Sequence, residues 1–471
     1  MPAEVPDAAS APSSRWQRLI TLARTDARRL ITTGVPHLFV AAAFSQGMGL
    51  LRRLLLARML SVEELGQMAY AMQIAELVAI FADIGICTAV LKYASEPSTA
   101  ERKRTLYVIG LLASAATSTL LGLAYFLSIW LSRPGAPGPD REVWLFMLML
   151  APYIPLAATL KTPLVYMQAL KQNQRAATYT AITQALSLVV LVAATWRWRL
   201  WGFFVFVSLA PCVNLIMLLA ATRRELHPEK LRWRDLVTLV RFGFFSMLGN
   251  AAGYGTPTLV IVLLRALSGS DAQVGLLATA QLIVSGIRLL PTALMSAAFP
   301  YLSSLRDDLV RLRNRVREIG RKQGAVVLAA LVAWTAVGYW ATPALFGGDK
   351  AEAFVPSVIL LVGLLIYSFW SPPGLLVLVL GRVYLNAAVS GGQLLVSGLL
   401  GLVLIPRWGV LGAAATLCLS EGLARIATLI VADRALRQEM RARARAADGG
   451  PGGAPGGAQS GPSASSPGAE L

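Results

Sequence analysis

Twelve stretches of mostly apolar residues follow one another along this chain. They lie near 36–57, 67–90, 106–131, 143–162, 177–196, 201–221, 237–264, 273–297, 324–346, 353–376, 383–404 and 409–432. A helix of about 20 such residues, rising ~1.5 Å per residue, crosses the ~30 Å hydrocarbon core of a bilayer. Lipid offers nothing for backbone N–H and C=O groups to bond, so helices are the form these stretches must take. The chain has 471 residues, of which 56% are hydrophobic and only 14% charged. A soluble domain carries about a quarter charged residues. A soluble enzyme, a secreted disulfide scaffold and a disordered protein are excluded. The expected fold is all-α, a polytopic membrane protein of twelve transmembrane helices.

The net charge of +18 does not form a nucleic-acid surface, because the basic residues sit in short runs between apolar stretches. With the N-terminus cytoplasmic, 31 of the 43 Lys and Arg fall in, or at the borders of, the N-terminal arm, the loops on the same side and the C-terminal tail. Eight fall on the other side: Arg58, Arg133, Arg141, Arg197, Arg199, Arg265, Lys350 and Arg407. Arg52, Arg53, Arg288 and Arg425 lie within spans. This bias predicts cytoplasmic N- and C-termini. The outer loops are too short for an extracytoplasmic catalytic domain. Cys87, Cys212 and Cys418 lie in apolar stretches, and His37 and His227 are far apart. Neither a disulfide framework nor a metal centre is expected. No P-loop or dinucleotide-binding glycine pattern is present, so an ion gradient, not ATP and not a bound cofactor, is the expected energy source.

Residues 1–14 lack an apolar core and are expected to be disordered. Residues 15–33 read as an amphipathic helix in the cytoplasmic interface, with Trp16, Leu19, Ile20 and Ala23 on one face. Residues 437–471 read as a disordered Gly/Pro/Ala-rich cytoplasmic tail. Between them, Leu65-Gly66-Gln67-Met68-Ala69-Tyr70-Ala71 and Val274-Gly275-Leu276-Leu277-Ala278-Thr279-Ala280 share one pattern. They open the second and eighth spans. A repeat after six spans preserves orientation, so residues 34–230 and 231–436 read as two six-helix bundles, parallel pseudo-repeats about an axis along the membrane normal.

The junction Ala57-Arg58-Met59-Leu60-Ser61-Val62-Glu63-Glu64-Leu65-Gly66 resembles that of bacterial polysaccharide exporters. These are the oligosaccharide flippases of the multidrug/oligosaccharidyl-lipid/polysaccharide (MOP) exporter superfamily. Asp83-Ile84-Gly85-Ile86, Phe299-Pro300-Tyr301-Leu302-Ser303, Leu345-Phe346-Gly347 and Trp408-Gly409-Val410-Leu411-Gly412-Ala413-Ala414 extend the resemblance over roughly 34–436. Leu277 stands where the family often has Tyr. The resemblance implies two six-helix bundles facing a central cavity lined by spans 1, 2, 7 and 8. It also implies a flippase that moves an undecaprenyl-pyrophosphate-type oligosaccharide from the cytoplasmic to the outer leaflet of the bacterial inner membrane. Such a flippase works by alternating access for cell-surface polysaccharide synthesis, alongside membrane lipids and polymerase or chain-length machinery.

Charged side chains inside a bilayer are costly and tend to face cavities or partners. Against a phosphate-bearing cargo, Arg52 and Arg53 in the outer half and Arg288 in the inner half are the candidate cavity residues, because a guanidinium binds phosphate oxygens bidentately. Adjacent helical residues point ~100° apart, so only one of Arg52 and Arg53 is expected to look straight into the cavity. Glu76 and Asp83 share a helix face and are the candidates for ion coupling. Glu76 is the better placed near mid-bilayer, either for that role or as a salt bridge to Arg52 or Arg53. Asp83 reads as more structural, pairing with Lys92 or a cytoplasmic Arg. Glu421 and Arg425, spaced i, i+4, read as a structural pair. Gly253, Gly255 and Pro257 predict a broken or kinked seventh helix that acts as a hinge. The run Arg311, Arg313, Arg315, Arg317, Arg321 and Lys322 reads as a cytoplasmic, lipid-contacting connector.

A multidrug cation antiporter shares this fold but uses acids in span 1 or span 7, and neither span holds one here. A lipid II flippase typically has fourteen spans. A membrane glycan polymerase or ligase needs a sizeable outer loop.

Overall fold

The computed structural model describes residues 35–96, 98–133, 139–226, 233–304, 309–370, 372–379 and 383–448. The 15–33 segment and the distal tail lie outside them. The described residues are helical throughout, with no strand. The helices are α1 (Val35–Met59), α2 (Val62–Ala82), α3 (Ile86–Ser95), α4 (Ala100–Leu131), α5 (Pro139–Met149), α6 (Tyr153–Ala169) and α7 (Asn173–Ala221) in the first half. The second half holds α8 (Trp233–Ser268), α9 (Asp271–Ser304), α10 (Leu309–Phe346), α11 (Phe354–Trp370), α12 (Pro372–Val379) and α13 (Val383–Asp448). Among the described residues, nine stretches of helix are long and apolar enough to span a membrane. Two of these, within α7 and α13, are each long enough for two crossings, and with α1 the twelve-helix arrangement is complete. α13 continues to Asp448, so residues 437–448, assigned above to the tail, are helical.

α7 and α13 each fold back on themselves. Straight, the 49 residues of α7 would reach more than twice the ~30 Å thickness of the hydrocarbon. The reversal falls at Arg199 (φ 51°, ψ −132°) and at Gly409 (φ 53°, ψ −125°). After each turn a glycine lands on a carbonyl eight residues back, Gly202 on Ala194 and Gly412 on Leu404. Positive φ suits Gly409 but strains an arginine. Arg199 is held there by a bidentate pair with Glu64, its Nε 2.8 Å from Oε1 and Nη2 2.5 Å from Oε2. Glu64 is already fixed by a capping box with Ser61 at the start of α2.

The two halves meet where α2 crosses α9, and the contact is reciprocal. A side chain on Gly66 would strike the Asp271 carbonyl, and one on Gly275 would strike the Val62 carbonyl. These pairs map onto each other by one offset of 209 residues, the offset of the sequence repeat, so the crossing lies on the pseudo-two-fold axis. Polar contacts surround this upper end. Lys350, only 1% exposed, donates to the Leu60 carbonyl at 2.8 Å and to Asp349 at 2.9 Å. Asp349 accepts from the Val62 N–H at 3.0 Å. Arg58 reaches the Ala344 carbonyl at 3.1 Å, and Gln67 donates to Asp271 at 3.1 Å. Arg265 bonds Asp271 at 2.7 Å and Asp140 at 3.1 Å while lying over the Tyr70 ring.

Below the crossing each bundle has its own core. In the first, the small seam Ala71, Ala75, Ala79 and Ala82 of α2 packs with Phe146, Leu150, Ile154, Phe203 and Phe204. In the second, Val260, Ile261, Leu264, Leu277, Leu361 and Ala413 pack together. At the lower end the symmetry breaks. Ile84 (φ 46°) and Gly85 (φ 68°) separate α2 from α3, and Gly85 sits against the backbone of Gly243 in α8. α3 then packs on α8 through Leu239 and Phe242. On the opposite flank, α1 and α9 touch at Leu50 and Gly286, whereas a side chain on Gly47 or Gly49 would meet nothing. The outer flanks expose apolar side chains such as Leu120, Val189 and Leu395, and Trp130, Trp196, Trp198, Trp340 and Trp408 ring the upper end. This is the surface of a multi-pass membrane protein with an interfacial aromatic belt.

Gly275→Ala should lower the thermal unfolding midpoint of the purified protein by an overpacking cost of about 1–3 kcal/mol. Gly253→Ala, with open space around it, should be neutral or raise it by up to about 1 kcal/mol through helix propensity. Equal midpoints for the two variants would show that α2 and α9 do not cross so closely.

Candidate functional site

Beneath the α2–α9 crossing lies a pocket of about 300 Å³. Arg52 and Arg53 of α1 and Glu76 of α2 all line it. The long arginine side chains let both neighbours reach the same space, so the expectation that only one faces it is corrected. Arg52 is half-buried and Arg53 exposed. Glu76 forms no ion pair with either arginine and no hydrogen bond among the described residues, so its carboxylate stands free in the pocket. Gln73, one helical turn above Glu76, accepts from the Thr258 hydroxyl of α8 at 3.1 Å.

The remaining polar lining is Gln281 of α9, with Tyr153 of α6 and Thr183, Gln184, Ser187 and Asn214 of α7. The resemblance had assigned the lining to spans 1, 2, 7 and 8. Here the seventh span contributes only Ile261, and the fifth and sixth add Thr183, Gln184, Ser187 and Asn214. Their signal was present in the sequence as hydroxyl and amide side chains recurring at i, i+1 and i+4 in an otherwise apolar helix, and it was not read. Such groups suit sugar hydroxyls, and the arginines suit an anion.

Arg288 does not line this pocket. It lies on the second bundle, with its guanidinium carbon 5.2 Å from the centre of the Tyr367 ring. Arg425 lies 4.9 Å from the same ring and donates through Nε to Glu421 at 2.8 Å. The i, i+4 pair Glu421–Arg425 therefore forms as expected. Gln393 donates to the other oxygen of Glu421 at 2.8 Å.

Asp83 is remote from the pocket. It is buried behind the break between α2 and α3, accepting from Cys87 N–H at 3.4 Å, Cys87 Sγ at 3.1 Å and Ser114 Oγ at 3.3 Å. It caps α3 and ties it to α4 instead of pairing with Lys92, which lies over the Phe242 ring at 4.2 Å. Gly253, Gly255 and Pro257 sit in α8, which runs through them without a break. Thr256 and Thr258 flank the proline and bond back to the carbonyls of Ala252 and Tyr254. The basic run is helical, and Arg313 reaches Asp433 of α13 at 3.5 Å. Among the described residues no group of His, Cys, Asp and Glu is placed to hold a metal.

Residues 31–306 match the family model described as polysaccharide biosynthesis protein. The chain belongs to this family. The comparison with curated proteins finds no match. Among solved structures, an inward-facing multidrug resistance MATE family transporter of the MOP superfamily matches with a TM-score of 0.69 at 13% identity, over 84% of this chain and 96% of that one. The lipid II flippase MurJ, in an inward closed conformation, matches at 0.65 and 13%, over 84% and 87%. A MOP superfamily transporter from Pyrococcus furiosus, described as having a binding pocket of reverse polarity, matches at 0.59 and 12%, over 85% and 94%. These likenesses establish the fold as that of the superfamily, two helical bundles about a central cavity.

Asp83→Leu leaves buried donors without an acceptor and should cost about 1–3 kcal/mol per orphaned group, seen as a lower unfolding midpoint. Glu76→Gln, in the open pocket, should leave the midpoint within about 0.5 kcal/mol. The reverse ranking would place Glu76 in the core and Asp83 in the site.

Proposed function

We propose that this protein is a lipid-linked oligosaccharide flippase of the bacterial inner membrane. It moves a polyprenyl-diphosphate glycan of the undecaprenyl type from the cytoplasmic to the outer leaflet for surface polysaccharide synthesis. The observation that carries this reading is the convergence of Arg52 and Arg53 on one pocket between the bundles, beside the amide and hydroxyl groups of α7. Two guanidiniums facing one pocket match the oxygens of a diphosphate. The polar wall from α7 matches the first sugars. The pocket's volume, about 300 Å³, suits the headgroup and its proximal sugar while the rest of the glycan occupies the wider opening. The charge bias of the loops sets the Gly66 end outside and the N- and C-termini in the cytoplasm.

Alternating access then consists of separating the α2–α9 crossing and its polar contacts at the outer end while the bundles close at the cytoplasmic end. Gly253, Gly255 and Pro257 serve as the flexible point of α8. An ion gradient, proton or sodium, drives the cycle. Glu76 is the coupling group, because it faces the same pocket as the two arginines and its carboxylate is not committed to either. Asp83 is committed to α3 and does not share the role. The multidrug-antiporter reading fits poorly, since a pocket with two arginines to one glutamate repels organic cations. The polymerase or ligase reading places its chemistry on an outer loop, and none here is long enough. The glycan polymerase and chain-length machinery are the expected partners downstream.

In vesicles with an imposed ion gradient, the purified protein should carry a fluorescent polyprenyl-diphosphate oligosaccharide to the opposite leaflet, read by lectin accessibility, with the cargo mass unchanged. Arg52→Gln combined with Arg53→Gln should slow this by about tenfold or more, the scale of one lost charge-assisted contact. Glu76→Gln should retain cargo binding and abolish the gradient dependence. Transport at the wild-type rate by the arginine variant rules out the pocket as the headgroup site. In cells, Arg288→Ala should abolish surface polysaccharide while the protein still reaches the membrane.

A further inference from the structure

We propose that the second bundle carries its own anion station, formed by Arg288 and Arg425 around Tyr367 and gated by Glu421. It takes the same class of ligand, the diphosphate ester of a lipid carrier. The proposal rests on the anionic-cargo reading above and adds a second place where that cargo is held.

Both guanidinium carbons lie within 5.2 Å of the Tyr367 ring centre, so they are no more than about 10 Å apart. A ring face holds a guanidinium flat and leaves its edge N–H groups free to point elsewhere. Arg425 uses Nε on Glu421, and its terminal nitrogens make no hydrogen bond or ion pair among the described residues. Arg288 has no carboxylate within ion-pair distance among them. Glu421 is engaged by Arg425 at Oε1 and by Gln393 at Oε2 and makes no ion pair with Arg288 among the described residues. Two cations and one anion leave the cluster with a net charge of +1 inside the membrane-spanning part of the chain. Uncompensated charge at that depth is expensive and marks a binding role. An anion with several acceptor oxygens fits between the two forks and satisfies both.

The internal repeat places Gln393 and Glu421, the polar partners of this cluster, at helix positions that line the pocket in the first bundle. The turns of α7 and α13 correspond at an offset of 210, Arg199 with Gly409. At that offset Gln393 and Glu421 occupy the positions of Thr183 and Pro211, both of which line the first pocket. At the α2–α9 offset of 209, Arg288 falls three residues past the position of Glu76. The two bundles therefore present polar groups from equivalent helices, one set beside Arg52 and Arg53, the other around Tyr367. Glu421 is the resident counter-ion of the second set: it holds Arg425 while the station is empty and competes with an arriving anion.

The test is a binding titration of purified protein with farnesyl diphosphate, with inorganic pyrophosphate as competitor. Wild type should bind two molecules of farnesyl diphosphate per chain, Arg52→Gln/Arg53→Gln one, and the same variant with Arg288→Gln and Arg425→Gln none. Glu421→Gln, in the Arg52→Gln/Arg53→Gln background, keeps both second-bundle arginines and removes the competitor. It should tighten the remaining site by about tenfold. If Arg52→Gln/Arg53→Gln binds nothing while wild type binds one molecule, or if Glu421→Gln leaves the affinity unchanged or weaker, Glu421–Arg425 is only a structural pair and the station is overturned with the flippase reading intact. If pyrophosphate binds the second site and farnesyl diphosphate does not, the ligand is a soluble phosphate, which also overturns the proposal. If wild type binds neither compound, the anionic-cargo reading falls with it.

Discussion

The structure turns on one backbone contact. Where α2 and α9 cross, each helix presents a glycine to the other's carbonyl, Gly66 to Asp271 and Gly275 to Val62. A hydrocarbon surround gives helices no hydrophobic reason to associate, so close approach through small residues is what holds them. This crossing sets the axis about which the bundles are related, closes the upper end and leaves the pocket beneath it. The buried Lys350, the Arg265 pairs and the Gln67–Asp271 bond gather around it. Lys350–Leu60, Arg265–Asp140 and Gln67–Asp271 span the two bundles, and the buried Lys350 ammonium would be costly to leave unpartnered.

The charges within the apolar helices divide into two kinds. Asp83 is spent on the fold, accepting bonds that anchor the start of α3 and join it to α4. Arg52, Arg53 and Glu76 line the pocket and make no hydrogen bond or close ion pair among the described residues. The same side-chain types, at similar depths, do opposite jobs according to whether local donors saturate them.

The span count was legible in the sequence because apolar length is a one-dimensional property that the bilayer reads directly. The repeat was legible too, since Gly66 and Gly275 each need the absence of a side chain and so leave the same mark in both halves. The pocket was legible in part. Arg52, Arg53 and Glu76 stood out as charges in apolar helices, but Thr183, Gln184 and Asn214 are neutral and common enough to pass unnoticed. Arg288 is a cavity candidate by its charge and its place in span 8, but its position beside Tyr367 and Arg425 depends on how spans 8, 10 and 12 pack, which no spacing encodes. α8 runs through Pro257 without a break in its helical backbone, and Thr256 and Thr258 bond back to the carbonyls of Ala252 and Tyr254. Asp83 was read through its charge, whereas its partners are the thiol of Cys87 and the hydroxyl of Ser114, neither of which carries a charge pattern.

A closure built from main chain on both sides behaves unlike one built from side chains. Gly66 and Gly275 have no rotamers to loosen, so nothing at the crossing yields by degrees. The helices are either in register, carbonyl against Cα, or they have parted as rigid rods and lost the whole contact at once. Such a contact opens or closes as a unit, with no partly frayed state between.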